Sequence, residues 1–483
     1  MYNLRTIITA VLALVAGAAC ASSYEAYYSD LPFAARPLEA PSIPELTVKL
    51  SDFGGVADGV TLNTAAISRA IDFLSSKGGG HLVLDEGVWL SGPITMKSNI
   101  DLHVEHNAIL LFTNDKSQYA ILDPDEGTAS AMRQPPIYAR HISNFSISGS
   151  GVIDGNGEAW RPVKRFKVSD AEWKKMQRLG LTEYTEGKST VYYPTIGNPT
   201  DKIETKRARL IRIVCCENFM VKDVVIQNSP SFHLNVVMSN NFIIDGVMVR
   251  CPWNAQNGDG IDLSSCRNAL IVNTSVDAGD DALCLKSGIG DAGRRRGPCD
   301  NIVIDNCTVF HGHGGFVIGS DNAGGMSNIM VRRCRFIDTD TGLRFKSGRD
   351  RGGLMSGIFV SDVVMCDIAG EAILFDSFYE EKVGDGENVE AAPVTADTPV
   401  FRGFFISGLV CRDAGRAVVM KGLPEKPIEK VVISDCTFTS RQGMVINNAR
   451  GVTLKNIRMQ LEDGPMLKEH NSEVTQVNVN RIP

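Results

Sequence analysis

Aromatic side chains are scarce in this chain of 483 residues: they make up 7% of it, with only 4 tryptophans. Set against 46 glycines, that shortage argues against a helical bundle and for many strands joined by tight bends. Positive charge is not in excess either. A formal net charge of −7 excludes general affinity for nucleic acid, though it leaves room for an anionic substrate met by a locally basic cleft. Metal-type cysteine spacing is missing: none of the 12 cysteines forms a C-x-x-C pair. Beyond Cys20 an odd eleven remain, which suits inward-facing small apolar residues better than a disulfide framework. Long apolar runs are also lacking. Residues 6–19 form the one candidate and are too short to span a bilayer comfortably. Preceded by one positive charge and followed by Ala19-Cys20-Ala21, they read as an export signal over residues 1–21. The expected location is therefore the periplasm or the medium. The alternative is an outer-membrane lipoprotein anchored through Cys20.

What is present is repetition. The runs "NALIVNTSV", "NIVIDNCTV" and "NIMVRRCRF" open at Asn268, Asn301 and Asn328 and alternate like strands. Their spacing of 33 and then 27 positions falls in the range of solenoid repeats. Polar islands follow at similar phase: N-G-D-G-I-D at 257–262, G-D-D at 279–281, G-H-G at 312–314 and R-F-K at 344–346. The expected fold is all-β, a single-stranded right-handed parallel β-helix of about ten coils. Residues 22–46 read as a leader and 47–483 as one catalytic domain. Near its start, Ala66, Ile67, Ala70, Ile71 and Leu74 share one helical face behind an N-cap at Asn63, so a short α-helix should cap the open end. Residues 161–206 break the strand period, the Arg294 to Arg296 run reads as an exposed loop, and the leading Asn residues read as turn or ladder positions.

Stacked coils place equivalent positions roughly 4.8 Å apart. Asp259, Asp280, Asp281, His313, Arg344 and Lys346 should then form one ladder: three carboxylates, an imidazole and two cations. Such a set suits acid/base chemistry on an anionic substrate. Repulsion within the Asp280–Asp281 pair should raise one of the two, leaving it protonated as an acid, while the other and Asp259 orient water. Lys286, Arg349 and Arg351 are further candidates for holding a carboxylate, and Tyr379 stands at the base of an acidic loop. Asp262 and Asp277 read as turn formers, and His311 as a packing residue.

"GVIDGNGEAW", "NGDGID", "GDDALCLKSG", "GHGGFVIGS" and "LRFKSG", in this order after "DFGGVADG", resemble the polygalacturonase family of pectin-degrading glycoside hydrolases, family 28, over residues 50–479. The resemblance implies an O-glycosyl hydrolase cleaving α-1,4-galacturonosyl links with inversion, without metal or cofactor. It matches Asp280 to the general acid, Asp259 and Asp281 to the pair activating water, and His313 to the histidine beside the acid. Arg344 and Lys346 match the cations that hold the substrate carboxylate. Gly258 and Phe345 depart from the family's usual Thr and Ile. "HGHGGFVIGS" and "RDRGG" are closer to bacterial exo-acting members, with residues 161–206 and the loop at Tyr379 as candidates for closing one end of the groove. The expected partner is a pectic polysaccharide or oligogalacturonide, met by a monomer. The alternatives are a rhamnogalacturonan hydrolase of the same family, a calcium-dependent pectate lyase, and a non-catalytic carbohydrate-binding β-helix.

Overall fold

The computed structural model describes residues 24–180, 182–194, 206–379, 381, 383–384 and 389–483; the expected signal at 1–21 lies outside them. Parallel strands wind into a right-handed β-helix with three ladders of hydrogen-bonded strands. One ladder bears on function. It runs from Ile94–Thr95 through Ile137–Arg140, Ile211–Val214, Leu234–Val237, Ile261–Ser264, Asp281–Lys286, Gly314–Ile318 and Leu343–Lys346. It continues through parts of Val364–Asp376, Val410–Lys421 and Ile428–Asn447 to Leu467–His470. That is twelve strands rather than about ten coils. Some coils are shorter than the repeats suggested: Ile211 pairs with Leu234 and Ile261 with Leu283.

Inside, Ile211, Leu234, Ile261, Leu283, Phe316, Leu343 and Ile373 stack as one buried column. Phe145, Phe219 and Phe242 form a second, with ring centroids 5.0 and 4.7 Å apart. The described cysteines are free thiols, and all but Cys215 and Cys366 are buried. The helix Thr64–Ser76 buries the expected face at the first coils. Asn63 does occupy its N-cap position, but its side chain instead ties Val56, Thr61 and Leu90 together. Two shorter helices were not expected: Asp170–Arg178, inside the 161–206 insertion, and Gly290–Arg296, which replaces the loop assigned to the arginine run. The leader lies along the outside, with Tyr24, Tyr27 and Phe33 packed by Ile243, Leu270 and Met330, and Tyr24 Oη donating to Asp245 at 2.9 Å.

The asparagines opening the strands explain how coils turn in register. Asn268, Asn301 and Asn328 have φ of 48°, 54° and 54°, the left-handed region that Asn tolerates better than most residues. Their amides bond from coil to coil: Asn268 to Asn240 at 2.9 Å, Asn301 to Asn268 at 3.2 Å, Asn328 to Asp300 at 2.9 Å. Asn268→Ala strands these partners and keeps a side chain in the left-handed region. It should destabilise the fold by about 2 kcal/mol, read as a lower thermal midpoint, with Asn268→Gly recovering part of the loss.

Candidate active site

Register decides which side chains meet. Two positions before each paired residue of the twelve-strand ladder, Pro135, Arg209, Phe232, Asp259, Asp281 and Gly314 fall in one row along the helix axis. Arg212, Asn235, Asp262, Cys284, Val317 and Arg344 form the neighbouring outward row, and Lys286 and Lys346 lie on the next. Asp259 and Asp281 are therefore one coil apart.

Asp280 and Asp281, adjacent in sequence, face different partners, because the chain bends at Gly279. A Cβ at that glycine would come within 2.5 Å of the Ala255 carbonyl and 2.7 Å of the Pro252 carbonyl. Asp281 is buried and accepts from Lys346 Nζ at 2.7 Å and from Arg344 Nη1 at 3.1 Å. Asp280 is the more open of the two, its side chain 20% exposed, and lies 3.1 Å from His313 Nδ1. Asp259 is buried and lies 3.3 Å from Lys286 Nζ, and its Oδ1 has no partner among the described residues. Asp262 also binds Lys286, from within the strand Ile261–Ser264, so it is not a turn former. Asp277 ends a strand and pairs with His311 at 2.8 Å.

Charge follows from these contacts. Burial would raise the Asp280 carboxyl, but the hydrogen bond with His313 and the charges of His313 and Lys346 outweigh it and hold Asp280 below the usual carboxylate range. For Asp281, burial is likewise outweighed by Lys346 and Arg344, and the pKa falls. Burial and the charge of Asp262 push Asp259 well up. The raised carboxyl is thus Asp259, not a member of the Asp280–Asp281 pair. Cations beside both members overcome the mutual repulsion on which the sequence expectation rested. Asp280, Asp281 and His313 each bring one ligand atom within 4.8 Å of the others, a spacing that suits a cation, yet Arg344 and Lys346 already occupy the oxygens of Asp281.

A model of glycosyl hydrolases family 28 matches residues 82–403. The chain belongs to that family. It is a pectin-degrading glycoside hydrolase. The chain is 27% identical over 404 residues to a probable polygalacturonase of Vitis vinifera, covering 81% of this chain and 74% of that one. To an endo-polygalacturonase of Pectobacterium carotovorum subsp. carotovorum it is 29% identical over 456 residues, covering 92% and 98%. The crystal structure of an exopolygalacturonase from Thermotoga maritima superposes with a TM-score of 0.72 at 30% identity, covering 87% of this chain and 93% of that one.

The two departures from the family pattern have local causes. A Cβ at Gly258 would come within 2.9 Å of Cys251 Sγ and 3.0 Å of Ala255 Cβ, so the tight turn there takes glycine. Phe345 is buried against Phe375 and Phe404, at 4.7 and 5.0 Å between centroids, in a core that is itself aromatic. Two residues expected to bind substrate are engaged elsewhere in this hydrolase. Lys286 is held between Asp259 and Asp262, and Arg349 pairs with Glu425 at 2.8 Å while lying over Phe378. Tyr379 lies 5.1 Å from Lys346 Nζ and 5.3 Å from the Arg351 guanidinium, and Arg351 also donates to Ser320 at 3.0 Å.

Sequence reasoning missed the residues around Asp280. A cleft of about 480 Å³ at His313 and Gly279 is bordered by Phe166, Lys167, Trp253 and Asp340. Burial pushes the Lys167 ammonium down while the charge of Asp280 opposes it. The lone exposed Trp253 between two motifs was the available signal for this edge. A second cleft, of about 350 Å³, is lined by Arg133, Lys206, Arg207, Arg209 and Phe232 on the other side of Asp259. The phase of Arg209 and Phe232 with Asp259 could have revealed it. Asp281→Asn leaves the buried Lys346 without its carboxylate and should cost about 3–5 kcal/mol. Because Asp259 titrates high, ionising it weakens the fold as pH rises through its folded-state pKa. Asp259→Asn should therefore cost far less at pH 7, a contrast that thermal unfolding of the two variants measures.

Proposed function

We propose that this hydrolase removes galacturonic acid units one at a time from a chain end of polygalacturonan, with inversion at the anomeric carbon. The observation that carries the reading is the placing of cations along the helix axis on both sides of the carboxylates. Arg344 and Lys346 lie on coils after Asp281, and Arg207 and Arg209 on the coil two before Asp259. A polyanion laid along that axis meets positive charge on either side of the bond to be cut.

In this reading Asp280 gives its proton to the leaving oxygen as the bond from the anomeric carbon breaks. Water bonds to that carbon from the opposite face and loses its proton to Asp259, with Asp281 orienting it. Asp259 is ionised once Asp280 is neutral, because the charge of Asp280 is among those that hold Asp259 up and Lys286 favours its ionised form. Asp280 and Asp281 are too close for water to sit between them in line, since inversion needs roughly 6.5–9.5 Å between carboxyls; Asp259, one coil back, is the wider partner. The low pKa of Asp280 in the free site is reconciled by the substrate. A carboxylate bound at Arg344 and Lys346 screens the charge that depresses Asp280 and adds a negative charge beside it, so binding raises the acid's pKa. Galacturonate thereby readies its own acid, which a methyl-esterified unit would not.

Chain-end action is supported by a wall across the row one coil before Arg209. There the pair Ile121–Leu122 and Met132–Arg133 leads into Pro135, and the buried Asp125 is clamped by Arg212 at 2.7 and 2.5 Å. Arg133 ties this segment to the carbonyls of Lys116 and Lys206. The wall is thus built largely by residues 128–135, while the 161–194 stretch lends Phe166 and Lys167 to the other cleft. The similarity to an exopolygalacturonase structure supports the same reading. No described helix is long and apolar enough to cross a membrane. Export through residues 1–21 remains part of the proposal, with Cys20 as the alternative lipid site.

Product analysis on polygalacturonic acid tests it: galacturonic acid alone from the first time point is expected, and an early spread of oligomers overturns chain-end action. Asp280→Asn should lower kcat by a factor of about 10³ or more while leaving oligomer binding measurable. The acid works protonated, so activity falls as pH rises through its pKa. Because binding raises that pKa, the basic limb of kcat should lie at higher pH than the basic limb of kcat/KM; coincident limbs would refute substrate-driven protonation.

A further inference from the structure

The cleft on the Asp259 side holds five cationic side chains at its lining, and their partners differ. Arg212 is locked to Asp125, Arg207 donates to the carbonyls of Pro230 and Gln256 and to Asn257 Oδ1, and Lys206 donates to the Ala131 carbonyl. Arg133 holds backbone carbonyls. Arg209 differs. Among the described residues its guanidinium has no hydrogen bond and no ion pair, and it lies 5.3 Å over the Phe232 ring. Burial and the nearby charge of Arg212 push it down to about 10, which still leaves it cationic at neutral pH. A partly desolvated guanidinium with five donors and no acceptor is a poor use of buried space unless an anion completes it.

Position narrows the anion. Arg209 and Asp259 belong to the same row, two coils apart, about 10 Å by inter-strand spacing. One sugar ring with its carboxylate, met by the long arginine side chain, bridges that gap. Beyond Arg209 the row runs on to Pro135, where the clamped segment of residues 128–135 lines the cleft. Asp280 leans toward His313 on the following coil while Asp259 lies on the preceding one, so the sugar attacked by water is the one on the Arg209 side.

Resting on the chain-end reading above, we infer that Arg209 is the specificity residue of this hydrolase, binding the carboxylate of the non-reducing terminal galacturonate in a fork–fork pair and rejecting chains whose terminal unit is neutral. Phe232 holds the guanidinium flat for that pairing, and the wall at residues 128–135 stops a second sugar from passing.

The test compares trigalacturonate bearing a free acid at its non-reducing terminal sugar with the same trimer methyl-esterified at that sugar alone. The wild type should favour the free acid by at least about 10-fold in kcat/KM. Arg209→Gln should lose that preference by falling on the free acid with little change on the ester, and Arg209→Lys should restore part of it. Thermal midpoints of both variants near the wild-type value separate recognition from folding, since a merely structural role would lower both substrates together. Monomer release with the preference intact in Arg209→Gln, or an equal loss on both trimers in both variants, overturns the role of Arg209 alone. A spread of oligomers from the wild type on long chains overturns the chain-end reading beneath it, and this inference with it.

Discussion

Everything in the site depends on the register of parallel strands from coil to coil. A parallel ladder holds equivalent residues about 4.8 Å apart and keeps successive side chains on opposite faces. The same rule that buries Leu234, Ile261, Leu283 and Phe316 in one column puts Arg344, Cys284 and Asp262 in line outside. The register also lines up Asp259 with Asp281, where the bend before the strand breaks the alternation so that Ala282 and Leu283 are both buried. A slip by one residue in any coil would turn its half of the site inward. The left-handed asparagines and their amide chain guard against that slip, so a structural device on one edge of the helix maintains chemical geometry on another face.

The second constraint is charge packed where little water reaches. Lys346 and Arg344 neutralise Asp281, Lys286 is shared between Asp259 and Asp262, and His313 attends Asp280. The cations beside Asp281 are the ones that meet a substrate carboxylate in the proposed reaction, so resting stability and substrate binding draw on the same groups. An uronate polymer fits such a site because it brings the anions that relieve it. A neutral glycan would have to leave those charges as they are.

Several parts were legible in the chain. The helix Thr64–Ser76 followed from apolar spacing, the solenoid from strand period, and the order of the motifs identified the family. The misses share a cause. Lys286 and Arg349 look like free cations in a string of letters, but their acceptors, Asp262 and Glu425, arrive from other coils. The helix Gly290–Arg296 was masked by glycines and a run of like charges. The wall at residues 128–135 has no motif at all; it is recognisable only once Arg212 has found Asp125, 87 positions upstream.

By itself the sequence determined the architecture, because a period of hydrophobic alternation with polar breaks has few stable solutions, and it singled out the candidate reactive groups, because acids, imidazole and cations recur at similar phase after successive strands. Tertiary structure alone decided which of those groups is charged and which is occupied. Of the three acids Asp259 is the raised carboxyl, and among the described residues it is Arg209, not Lys286, that stands beside the acids with no hydrogen bond or ion pair. Protonation and pairing depend on burial and on neighbours a coil away, and a linear pattern encodes neither quantity.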